Sequence, residues 1–206
     1  MKSILRYCVL GLLLLAALLS LGACFPLVAG GAMMTGFVAV DRRTSGAMLD
    51  DQSIELKINT RIRDSLGERV HINVASYNRK VLLTGEATSA QDKERAGEIA
   101  KNVDAVNSVW NEVGVTALST LTERTNDLVA AGRIKADLID AKDLFSNAYK
   151  IVVERGTAYV MGRITVRESK RVASVISGVT GVKKVVLVHE TLTEDELANL
   201  NAKPSN

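Results

Sequence analysis

The chain has 206 residues, with 26 Lys or Arg against 23 Asp or Glu, a formal net charge of +3. That balance is too even for bulk charge to identify a partner. Two cysteines, Cys8 and Cys24, are too few for a disulfide framework, and the length allows one or two domains.

Lys2 and Arg6 precede a leucine-rich apolar run from Tyr7 to Leu21, broken only by Gly11 and Ser20. The run falls short of the roughly 20 apolar residues that a transmembrane helix needs. A charged start, a short apolar stretch and a small-residue exit read as a secretory signal over residues 1–23. The exit is Leu21-Gly22-Ala23-Cys24, which resembles the lipobox of bacterial lipoproteins. There the small residues let a peptidase reach the backbone, and the thiol is the nucleophile that becomes the thioether to diacylglycerol. The resemblance makes Cys24 the lipidation site. Cys8 would leave with the signal, so the mature chain would hold no disulfide and no cysteine metal site. Phe25, not Asp, follows Cys24. By the same resemblance to Gram-negative lipoproteins, that implies the outer membrane, periplasmic face. An anchor with several acyl chains holds firmly, because each buried methylene adds about 0.8 kcal/mol. Residues 24–49 read as a lipidated tether, rich in Gly, Ala and Met from Phe25 to Val40 and then Asp41-Arg42-Arg43-Thr44-Ser45-Gly46. Its apolar part fits either contact with the bilayer surface or a plain spacer.

From Asp50 the chain repeats with a period of about 77 residues. Within Asp51 to Leu66, Ile54, Ile58, Ile62 and Leu66 recur every four residues, a helix with one apolar stripe. Asp50-Asp51 reads as its cap, aligned with the helix dipole. His71 to Ala75 alternates like a half-buried strand, Asn78-Arg79-Lys80 can turn, and Val81-Leu82-Leu83-Thr84-Gly85 returns as the hairpin partner. Ser89 caps a second helix with Ala96, Ile99, Ala100 and Val103 on one face, and a last strand spans about Ser108 to Val115. Ala117 to Glu123 reads as a linker. The second unit has the stripe Ala130, Ile134, Leu138, then alternating Tyr149, Ile151, Val153. Arg155-Gly156 turns, and Ala158-Tyr159-Val160-Met161-Gly162 returns. The stripe Val172, Val175, Ile176, Val179 follows, then a strand from Val182 to His189. Residues 193–206 read as a polar tail.

The fold class is therefore α+β: two tandem units, residues 50–116 and 124–192, each with two helices on a three-stranded mixed sheet in the order helix, strand, strand, helix, strand. The hairpin is antiparallel, and the helical crossover returns a strand parallel to one already present. The strand ends Val81-Leu82-Leu83-Thr84-Gly85 and Val160-Met161-Gly162 carry a resemblance to the BON domain of bacterial envelope proteins. So do Val103-Asp104-Ala105-Val106 and Val179-Thr180-Gly181-Val182. Behind a lipobox, two such units resemble the dual-BON outer-membrane lipoproteins. The resemblance implies anionic phospholipid binding through the second unit, on its first helix, and a role in envelope integrity.

No constellation in the sequence supports catalysis. His71 and His189 stand alone in strands, Asp137, Asp140 and Asp143 read as a solvated edge, and there is no phosphate loop or dinucleotide fingerprint. Gly178-Val179-Thr180-Gly181 has the spacing of an RNA-clamping loop, but it joins a helix to a strand and reads as a helix C-terminal glycine. The expectation is a binding module that takes no cofactor, metal, nucleic acid or small-molecule substrate.

Two asymmetries point to a surface. Residues 50–118 hold nine basic and eleven acidic side chains, whereas residues 124–192 hold twelve and seven. Arg163, Arg167, Lys170 and Arg171 contribute to that excess and are candidate headgroup contacts, although ordinary surface variation would give a similar imbalance. The second asymmetry lies opposite the Ala130, Ile134, Leu138 stripe. At 100° per residue that side shows Leu128, Val129, Gly132, Ala136 and Ile139, flanked by Arg133 and Lys135. The matching face of the first unit shows Gln52, Ser53, Thr60 and Arg63, with only Leu56 apolar. An apolar face beside cations suits insertion among phospholipid headgroups. Packing of that face on the first unit is the competing reading. A non-catalytic adaptor that docks envelope proteins is the alternative function. The helix carries no aromatic anchor before Phe145.

Overall fold

The computed structural model describes residues 41–202, so the signal and Cys24 lie outside the described residues. Thr44 opens the first helix, α1 (Ser45–Leu66), its hydroxyl accepting the Ala47 N–H at 3.1 Å. The helix thus begins ahead of Asp51, inside the stretch read as tether. Its stripe Ile54, Ile58, Ile62, Leu66 is buried as the spacing predicts. Strands β1 (Val70–Tyr77) and β2 (Lys80–Ala87) pair antiparallel. Their two-residue turn holds Asn78 and Arg79 at φ 52° and 63°, the twist a tight hairpin prefers. Ser89 caps α2 (Ala90–Lys101). The expected last strand is split into β3 (Ser108–Asn111) and β4 (Gly114–Val115), both parallel to β2, with Val113 turned into the core between them.

The second unit starts with α3 (Leu121–Asp140), capped by a reciprocal Thr120–Glu123 box. The expected linker Ala117–Glu123 therefore gives its end to the helix. Strands β5 (Tyr149–Glu154) and β6 (Thr157–Thr165) form the hairpin. A Thr165–Glu168 capping box opens α4 (Val166–Ser177), and β7 (Lys184–Leu192) pairs parallel with β6. Gly178 ends α4. Helix α5 (Glu194–Ala202) stands where the sequence suggests a polar tail. Both sheets are mixed, with the hairpin antiparallel and the crossover strand parallel.

Each sheet is buried on both faces, and the strand alternation sorts the side chains. Val81 and Leu83 face the helices of the first unit, and Ala158 and Val160 those of the second. Leu82, Ala75 and Tyr77 point the other way and meet Tyr159, Met161 and Val188. The two sheets therefore pack face to face, with both helix pairs outermost. Burial on both faces explains why β2 and β6 read as nearly continuous apolar runs. Polar contacts brace this junction. Lys150 pairs with Glu55, Asn73 donates to Glu154 at 2.7 Å, and Arg155 pairs with Glu86 at 3.3 Å.

Gly85 has φ +106°, and a Cβ there would lie 2.0 Å from the His71 carbonyl oxygen. At the matching Gly162 the Cβ would meet the Ala148 carbonyl at 2.7 Å. In both hairpins the backbone crosses too closely for a side chain.

Candidate interaction surface

Helix α3 buries Ala130, Ile134 and Leu138 against its own sheet. Its opposite side is open: Leu128 is 74 % exposed, Val129 47 % and Ile139 61 %, with Gly132 and Ala136 also exposed. The competing reading, that this face packs on the first unit, is not what the structure shows. The sheets, not the helices, make that junction. Arg133 and Lys135 flank the apolar side. Arg133 reaches the Thr180 carbonyl at 3.3 Å, and Lys135 reaches Ser146 O at 3.4 Å and Asn147 Oδ1 at 3.2 Å. Both are exposed and bound to neutral acceptors, so their charge is not neutralised by these partners. The corresponding side of α1 is polar but for Leu56, which is 70 % exposed, and Leu49 at its start.

The second cation set divides. Arg167, Lys170 and Arg171 are exposed on α4, with Arg171 held 2.7 Å from Asp143 and Arg167 3.5 Å from Glu194. Arg163 differs. It pairs with Glu190 at 3.0 Å and donates to the Arg42 carbonyl at 3.1 Å. Its charge is used inside the body, which corrects its reading as a headgroup contact. Asp137 and Asp140 are exposed, as expected of a solvated edge.

Three features escaped the sequence reading. Asp51 is not a cap but a buried clamp. Its carboxylate accepts from the Ser76 hydroxyl at 2.6 Å, from the Arg79 and Asn78 N–H groups at 2.7 and 2.8 Å, and from Arg43 at 2.9 Å. Asp127 does the same for the second hairpin, accepting the Arg155 and Gly156 N–H groups at 2.7 and 2.9 Å. The sequence carries the signal, because each Asp stands three residues before the first member of its stripe, Ile54 or Ala130, on the same face.

The second feature is the entry of the chain. Arg42 is buried and forks onto Glu168 at 2.6 and 2.8 Å while donating to Arg163 O at 2.7 Å. Burial opposes ionisation of Glu168, but the Arg42 hydrogen bonds and the Thr165 N–H outweigh it, so its carboxyl lies below the usual range. Arg43 turns to the other unit, stacking 4.4 Å from the Tyr77 ring centre. Burial raises the Tyr77 phenol to about 12. Asp41 to Arg43 is thus built into the body and ties both units together, where the sequence suggests a tether.

The third is a polar cluster at the junction. His71 Nδ1 lies 3.2 Å from the fully buried Glu86, which also takes Ser119 N–H and hydroxyl donors at 3.2 and 3.1 Å. Glu154 joins them within 4.8 Å, its carboxyl raised by burial. The donors already present satisfy these carboxylates, so the cluster reads as a brace. His189 is half-buried in β7, and burial and then Lys80 lower its pKa.

This architecture matches a family model, the BON domain, twice, over residues 50–117 and 126–187. The chain belongs to the BON-domain family. It is 29 % identical over 182 residues to the outer membrane lipoprotein DolP of Haemophilus influenzae, covering 87 % of this chain and 94 % of that one. It is 28 % identical to a 21 kDa hemolysin of Actinobacillus pleuropneumoniae, covering 72 % and 78 %. It is 26 % identical to the osmotically-inducible protein Y of Escherichia coli, covering 68 % and 72 %. Both BON domains keep the Asp clamp and the crossing glycine, and they differ on the outer side of the first helix. Among the described residues, no helix is long and apolar enough to cross a membrane.

Proposed function

We propose that this dual-BON protein is an envelope lipoprotein, held through Cys24 to the periplasmic face of the outer membrane. It binds anionic phospholipid through α3 of its second BON domain and supports envelope integrity without catalysis. One observation carries the reading: the exposed Leu128, Val129 and Ile139 form an apolar strip that Arg133 and Lys135 flank. Such a strip stays costly in water and gains by shallow burial at the acyl boundary. Lys and Arg beside it meet phosphates through charge-assisted hydrogen bonds, each adding about 1 kcal/mol near an anionic surface. A relative named as an outer membrane lipoprotein, matched over most of both chains, supports the location.

The test is co-sedimentation of residues 41–206 with vesicles of phosphatidylcholine alone or with phosphatidylglycerol. The body must begin at Asp41, because a later start removes Arg42 and cuts α1. Binding should need the anionic lipid, fall as salt rises, and be lost in Ile139→Asp. No binding to either vesicle would sink the reading and turn attention to a protein partner.

A further inference from the structure

The described chain leaves the second BON domain toward Cys24 at one place. Arg42 lies beneath the first turn of α4, fixed by Glu168 and the Arg163 carbonyl. Whatever path residues 24–40 take, they start from that point. The surface around it is unusual. Val166, in the same first turn of α4, is 55 % exposed beside the exposed Arg167. One turn on, Arg171 binds Asp143 in the segment that follows α3. Two residues later Phe145 is 51 % exposed, and Ile139 occupies the last turn of α3 before that segment. Three large apolar side chains and the cations Arg167, Lys170 and Arg171 therefore share the end of the domain where the lipid-bearing chain departs. Phe145 lies beyond the helix, which is why the helix alone lacks an aromatic anchor.

We infer that this tip is the edge that enters the bilayer carrying the protein's own anchor. It rests on the membrane reading above and adds the orientation. Ile139, Phe145 and Val166 insert, Arg167 and Lys170 sit at headgroup level, and α3 tilts so that its Leu128 end lies shallower. The chemistry favours a lipid surface as occupant. A Phe ring suits the apolar, inserted side of an interfacial segment, and long cationic side chains extend to phosphates while their stems cover apolar surface. The chain that bears Cys24 joins the body at this end.

The test uses the full-length, acylated protein in vesicles of phosphatidylethanolamine and phosphatidylglycerol. A fluorophore is placed on one introduced thiol at a time, in Phe145→Cys, Val166→Cys, Leu128→Cys and Leu56→Cys. Lipids brominated along the acyl chain quench only a probe within the bilayer. The expected result is at least twofold quenching at positions 145 and 166, less at 128 and none at 56. Quenching stronger at 128 than at 145 and 166 would overturn the orientation and leave the lipid-binding reading standing. Quenching at none of the four would remove both.

Discussion

Helices α1 and α3 hold the same place in two copies of one domain, and they agree inside and disagree outside. Inside, each lays an apolar stripe on its sheet and aims an aspartate at its hairpin turn. Outside, α1 shows Gln52, Ser53 and Arg63 around Leu56, whereas α3 shows Leu128, Val129 and Ile139. Folding constrains the first set equally in both copies and leaves the second set free. The proposed membrane contact would use that difference, and each substitution below breaks or sharpens the contrast between the two copies.

The largest effect is expected at the hairpin crossings. Gly85→Ala puts a Cβ 2.0 Å from a carbonyl oxygen at φ +106°, whereas Gly162→Ala meets its carbonyl at 2.7 Å. The first should lose on the order of 4 kcal/mol in urea unfolding and the second clearly less. Equal losses would show that the crossings are equivalent. Next comes the N-terminus of the second helix of each domain. Arg42→Met leaves Glu168 buried without its partner and should cost about 3 kcal/mol. The exposed Arg69–Asp92 pair sits at the start of α2, and Arg69→Ala should cost under about 1 kcal/mol. The Arg42 pair also sets a pH response. The Glu168 carboxyl is held below its ordinary value. Its contribution is therefore complete above the unfolded pKa of about 4.3 and is lost as pH falls through the lower folded value. In Glu168→Gln the acid limb of the stability curve should become shallower without vanishing, because Asp41, Glu86 and Glu190 are also held below their ordinary values. Between the Arg42 and Arg69 losses, Asp51→Asn should cost about 2 kcal/mol and Asp127→Asn about 1 kcal/mol, because the first aspartate is more buried and accepts four bonds against two.

What was legible follows the same division. Stripes such as Ile54, Ile58, Ile62 and the doubled hairpins show in local periodicity, so element order and sheet type can be read from the chain. The starts of α1 and α3 were missed because Ser45 to Asp50 buries only Ala47, and Leu121 to Val129 buries nothing fully. With little burial there is no period to detect. The runs Val81-Leu82-Leu83 and Val160-Met161 hold a hint, since a strand apolar at every position is buried on both faces. Arg42 and Arg163 carry no such hint. Arg42 meets a carboxylate 126 residues away, and nothing in the local chain separates it from a surface cation. The outer side of α3 could be listed from helical geometry, but its exposure required knowing that the sheets form the junction.

The most direct test of the central claim compares Ile139→Asp with Leu56→Asp. Both positions are open to water, so each variant should keep its stability within about 0.5 kcal/mol. On vesicles containing phosphatidylglycerol, Ile139→Asp should lose most of the bound fraction and Leu56→Asp should match the parent. Equal loss in both variants, or loss only in Leu56→Asp, would contradict the assignment of membrane contact to the second BON domain.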